Sequence, residues 1–126
     1  MERNWRKLSL INGETLYVDA SFVVMLEPIG DNTNALLASG VEVLVAGGIG
    51  VADSALGELR LRGVNGYRIN PDHVIAVEGL SATECRLHLS TGLLLEAHGI
   101  SASDLGRAIR RQDKYPWDTI RLIRAT

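Results

Sequence analysis

Apolar and polar residues alternate in short runs along most of the chain, a pattern that predicts strands. Leu8 to Ile11 and Thr15 to Val18 flank Asn12-Gly13, a hairpin signal because both turn residues tolerate positive φ. Phe22 to Glu27 and His73 to Glu78 are rich in β-branched residues and read as central strands. Ala35 to Ala38 with Val41 to Ala46 predicts a hairpin turned at Ser39-Gly40, and Glu84 to Leu89 with Leu93 to Ala97 one turned at Thr91-Gly92. Leu59-Arg-Leu-Arg62, a turn at Val64-Asn-Gly66, and Tyr67-Arg-Ile69 make another. Helical spacing enters twice. A weak segment runs from about Ala52 to Leu59; a stronger one, capped by Ser101 or Ser103, runs to about Gln112, with Asp104 in its first turn and Leu105, Ala108 and Ile109 on one face.

The order of these elements repeats. Asp19 to Glu27 matches Asn70 to Glu78, 51 positions on; Ala35 to Gly40 matches Leu87 to Gly92, 52 on; Gly48 to Asp53 matches Gly99 to Asp104, 51 on. The expected fold class is therefore α+β: two tandem repeats, about residues 7–58 and 59–113, each an antiparallel β-meander closed by a short helix, sharing one core. A tail, 114–126, completes a single compact domain spanning 1–126.

The second repeat resembles a known family. Tyr67-Arg-Ile-Asn-Pro-Asp-His-Val-Ile-Ala-Val-Glu78, then Leu87-His-Leu-Ser-Thr-Gly-Leu-Leu-Leu95, then Ser101-Ala-Ser-Asp104 before a helix, is similar to the small flagellar FlbD/SwrD proteins. Members of that family are single units, so a tandem pair departs from their pattern. The resemblance implies a hairpin-and-helix architecture and accessory or regulatory work; its motif consists of turn and core residues.

Composition narrows the options. With 46% hydrophobic residues in 126, the chain can bury a sizeable core. Net charge is -2 and the pI about 5.9, so no global field draws it to polyanions, and nucleic acid is expected to be an unlikely partner. Cys85 is the single cysteine, which excludes an intrachain disulfide and a two-cysteine metal motif. No 18 apolar residues run together and the first residues lack the apolar core of a signal peptide, so no membrane and a cytoplasmic location are expected.

Little of the sequence reads as catalysis. Val43 to Gly50 resembles a strand entering a glycine loop, but Asp53 stands where a dinucleotide fingerprint needs its third glycine. His73, His88 and His98 have no recognised ligand spacing, and Cys85 has no base placed beside it by any motif. We therefore expect no cofactor, no metal and no catalytic residue. The chemistry concentrates at the C-terminal end: Arg107, Arg110, Arg111 and Lys114 at helical spacing, followed by Tyr115 and Trp117, a set suited to phosphate and a stacked ring. The same arginines also fit a solvated helix face, with Trp117 as an anchor. The expected function is a homo-oligomeric, non-enzymatic protein that captures or sequesters a small phosphorylated or nucleotide-like ligand between subunits. Two alternatives stand beside it: a regulatory module of the FlbD/SwrD type docking on a protein partner through a sheet edge, and a nucleic-acid-binding regulator.

Overall fold

The first alternating runs do fold as a hairpin, longer than the apolar residues alone mark out. β1 (Trp5–Ser9) pairs antiparallel with β2 (Thr15–Asp19), and Leu8 faces Leu16 across it. The structure, a computed structural model, describes residues 4–57, 59, 61–62, 66–111 and 120–125, of which 61, 62 and 111 are described by backbone alone. After a 3-10 turn come β3 (Val23–Ile29), β4 (Asn32–Leu37), β5 (Glu42–Val45) and α1 (Ile49–Ala55). Then follow β6 (Leu61–Arg62), β7 (Arg68–Ile69), a second 3-10 turn, β8 (Val74–Ser81), β9 (Glu84–Leu89), β10 (Leu94–His98), α2 (Ala102–Arg111) and β11 (Arg121–Arg124).

Local chemistry sets the joints. In the β4–β5 and β9–β10 hairpins the amide before the loop bonds the carbonyl after it, Leu37 to Val41 and Leu89 to Leu93, both at 2.9 to 3.0 Å. The last loop residues, Gly40 and Gly92, have φ of 91° and 92°, which a side chain would strain. Both 3-10 turns are capped from the preceding residue: Asp19 accepts from the Ser21 amide at 3.0 Å, and Asn70 from the Asp72 amide at 3.1 Å. Ser101 caps α2 as its position predicts, accepting from the Asp104 amide at 3.2 Å. α1 starts at Ile49, three residues before the expected start, because Gly48 is extended and serves as its N-cap.

The strands assemble into three sheets: β1-β2; β5-β4-β3-β7-β6; and β11-β10-β9-β8. This corrects the expected fold class. The chain is mostly β and does not build two tandem β-meander repeats closed by short helices over one core. The physical reason lies in the pairing. β7 joins β3, Met25 opposite Ile69, so β6 and β7 extend the five-stranded sheet; β11 returns to complete the other sheet, Leu122 opposite Ala97. Buried side chains accordingly fall into two clusters. Val23, Leu26, Ala35 and Val45 pack with Leu8, Val18, Ala52 and Leu56 on one face of the five-stranded sheet. Val24, Met25, Leu36 and Ile69 pack on the other with Cys85, Leu87, Leu95, Leu105, Ala108 and Leu122. Val24 and Met25 share a face because the β3 register shifts between Val23 and Met25. Cys85 is a packing residue, and burial pushes its thiol up to about 11.

Polar ties join the sheets to each other and to the neighbouring turns and helix. The Arg68 Nε donates to the Asp53 Oδ2 at 3.0 Å, joining β7 to α1, while the Leu59 amide donates to the Asp53 Oδ1 at 2.6 Å. Arg124 on β11 grips Glu27 of β3 through Nε (3.2 Å) and Nη2 (2.7 Å), and Nη2 also reaches Glu42 of β5 at 2.6 Å. That contact holds the Glu42 carboxyl below its usual range. Burial, with the Tyr67 hydroxyl donating to Glu27, pushes that phenol up to about 12. His73 contacts the Ser21 carbonyl at 2.7 Å and Ser90 Oγ at 2.8 Å, pinning the second 3-10 turn against the first.

Candidate functional site

Of the six residues expected to bind a ligand, the structure places two as side chains. Arg107 and Arg110 both project from the exposed face of α2, opposite the buried Leu105 and Ala108. Asp104 already occupies one of them, at 3.4 Å from the Arg107 Nη1. Arg111 ends α2, and its side chain lies outside the described residues, as do Lys114, Tyr115 and Trp117. Two clefts lined by described residues lie elsewhere. One, about 240 Å³, has Asn4, Ser21, Gly57, Asn70 and Asp72 in its walls; the other, about 400 Å³ and more apolar, runs along Leu10, Ile11, Val43 and Leu44.

Cations on the rest of the surface fall into two kinds. Arg68, Arg86, Arg107 and Arg124 are each paired with a carboxylate, whereas Arg6, Lys7, Arg110 and Arg121 make no ion pair among the described residues. The difference is clearest between two sheet faces. On the open face of the four-stranded sheet, strand register lines up Glu78, Arg86 and Glu96 in one row. Arg86 lies 3.5 Å from Glu78 and 3.7 Å from Glu96; His88 meets Glu78 at 2.9 Å, and His98 meets Glu84 at 2.8 Å and Glu96 at 3.4 Å. The hydrogen bond with His88 holds the Glu78 carboxyl below its usual range. Arg86 and the two histidines on this face are matched to carboxylates, while Arg121, opposite His98 on the same face, makes no ion pair among the described residues.

The outward face of the β1–β2 hairpin is different. Leu8 and Val18 point into the core, so the alternation turns Trp5, Lys7 and Ser9 outward on β1, and Thr15 and Tyr17 outward on β2. Lys7 stands directly opposite Tyr17, with Trp5 one side-chain row away. Trp5 is 56% exposed and Tyr17 66%, and the five outward residues include no carboxylate. Arg6, on the inward parity, reaches the C-terminal end of α1, its Nη2 3.0 Å from where a Cβ on Gly57 would stand. Sequence reasoning missed this face because it began the first strand at Leu8. The spacing Trp5-x-Lys7-x-Ser9 against Leu8, Leu16 and Val18 was the available signal.

No family model matches the chain, and no curated protein matches it. Among solved structures, a LytTr DNA-binding domain from Bacillus cereus superposes with a TM-score of 0.59 at 16% sequence identity, covering 88% of this chain and 97% of that one. The fold is LytTr-like. This overturns the expected small-ligand trap: the solved LytTr-like structure is a DNA-binding domain, so ligand binding, nucleotide binding and sequestration lose their support, and so does the exclusion of nucleic acid as a partner. The physical error was to let the net charge of -2 stand for the whole surface, when the charges are sorted between faces.

Proposed function

We propose that the protein is a nucleic-acid-binding regulator, acting in the cytoplasm without a catalytic centre of its own. The observation that carries this reading is the LytTr-like fold, shared over 88% of the chain with a domain whose work is to bind DNA. No helix among the described residues is long and apolar enough to cross a membrane. Electrostatics supports the same reading. Phosphate contacts need local cations, and a cation already neutralised by a carboxylate gains little from a phosphate. Arg6 and Lys7 on the hairpin, Arg110 on α2 and Arg121 on β11 are the described cations that are exposed and make no ion pair among the described residues.

Binding of this kind is salt-dependent: neutralising two phosphates gives roughly a tenfold loss of affinity between 50 and 200 mM salt. The test is fluorescence anisotropy with a labelled random-sequence oligonucleotide across that salt range. Salt-dependent binding to the wild-type chain, reduced in the Arg6→Ala/Lys7→Ala double variant, supports the reading. No binding at 50 mM salt overturns it.

A further inference from the structure

The hairpin face carries more than charge. Trp5 and Tyr17 expose their rings on the same side of the ribbon as the ammonium of Lys7. A duplex hides the faces of its bases inside the stack and offers a protein only edges and phosphates. Exposed rings next to a cation match an unpaired strand instead, where each base has a free face to stack and each phosphate is within reach of a short basic contact. We propose that the outward face of the β1–β2 hairpin is a stacking platform for single-stranded nucleic acid, with bases held on Trp5 and Tyr17 and the intervening phosphate on Lys7. This rests on the nucleic-acid reading above and narrows it to unpaired bases.

Geometry supports the pairing of the two rings. Trp5 is opposite Asp19 and Tyr17 is opposite Lys7, so the rings occupy diagonal positions of one antiparallel face, roughly 7 Å apart at their roots. That is about twice the stacking separation of bases, enough for one base between the rings or for two successive bases, one on each. Asp19 does not spoil the face. It is buried, and its carboxylate is turned to the Ser21 amide and hydroxyl at 3.0 and 2.6 Å. The hairpin is also braced from behind: Leu8 and Val18 pack in the core, and the Ile11 amide bonds the Leu44 carbonyl at 3.2 Å. A rigid backing keeps the rings in place before a strand arrives, which lowers the ordering cost of binding.

The chain has two tryptophans, Trp5 and Trp117, so a Trp117→Phe background makes Trp5 the reporting fluorophore. In that background the full chain is titrated with a thymidine oligonucleotide and with the same strand annealed to its complement. The expected result is quenching of Trp5 by the single strand and tighter binding of the single strand than of the duplex. By anisotropy, Trp5→Ala and Tyr17→Ala each weaken single-strand binding roughly tenfold while Trp5→Phe keeps most of it, and unchanged melting temperatures show that the variants are folded. Equal affinity for both forms, or alanine variants that bind the single strand as well as wild type, overturns the stacking platform and leaves the nucleic-acid reading standing. Binding of neither form removes both.

Discussion

Two antiparallel faces of this protein obey the same alternation and end with opposite surfaces. On the open face of the four-stranded sheet Arg86 is set between Glu78 and Glu96. On the outward face of the β1–β2 hairpin, Lys7 stands opposite Tyr17 and two residues from Trp5, and makes no ion pair among the described residues. The lesson is that the charge available to a polyanion is what remains after internal pairing, and a chain with net charge -2 can still carry a basic face. Arg68 and Arg124 tie separate elements together through carboxylates, whereas Arg6, Lys7, Arg110 and Arg121 make no ion pair among the described residues.

The largest effect expected from this division belongs to the paired side. Asp53→Ala leaves the Arg68 guanidinium, 15% exposed, without its counter-charge and the Leu59 amide without its acceptor. Losing one partner of such a nearly buried pair costs about 3 kcal/mol, read as a lower midpoint in urea denaturation. A loss below about 1 kcal/mol would mean that this tie is dispensable. Next comes the unpaired side. Lys7→Ala is expected to reduce the slope of log affinity against log salt by about 0.7 on a single strand and about 0.9 on a duplex, with stability unchanged, whereas Arg86→Ala leaves that slope alone. Equal effects from both would erase the distinction between the faces.

Acid provides a third and smaller probe. The Glu42 carboxyl is lowered chiefly by its hydrogen bond from Arg124, and that of Glu78 by His88. A carboxyl whose folded value lies below its unfolded value contributes stability above the unfolded value, near 4.5, and loses it as pH falls through the folded one. Urea midpoints are therefore expected to hold steady from pH 7 to 5 and to fall below about 4.5. Glu42→Gln should flatten part of that fall. An unchanged profile would show that the Arg124 contact is not linked to folding.

Much of the secondary structure was legible because its signals are local. The alternation of β9, Glu84 to Leu89, records its burial one residue in two, and Gly40 and Gly92 mark turns that need positive φ. His88 lies on the wetter face of that strand, as its position between Leu87 and Leu89 implies. Strand partnership is not local. Nothing in the period of Arg68–Ile69 says that it pairs with Met25 and Leu26, and this pairing is what turns two expected repeats into interleaved sheets. Arg107 and Arg110 are both exposed on α2, but spacing cannot show that Asp104 would take up Arg107. The hairpin face was present in the sequence as Trp5, Lys7 and Tyr17; it went unread because strand parity becomes meaningful only when the strand's true start is known.

The most direct measurement titrates labelled oligonucleotide with wild type, Lys7→Ala and Arg86→Ala protein side by side at 50, 100 and 200 mM salt. Wild type and Arg86→Ala should give one common line that falls steeply with salt, and Lys7→Ala a shallower and weaker one. Three superimposed lines, or flat signal throughout, would contradict this.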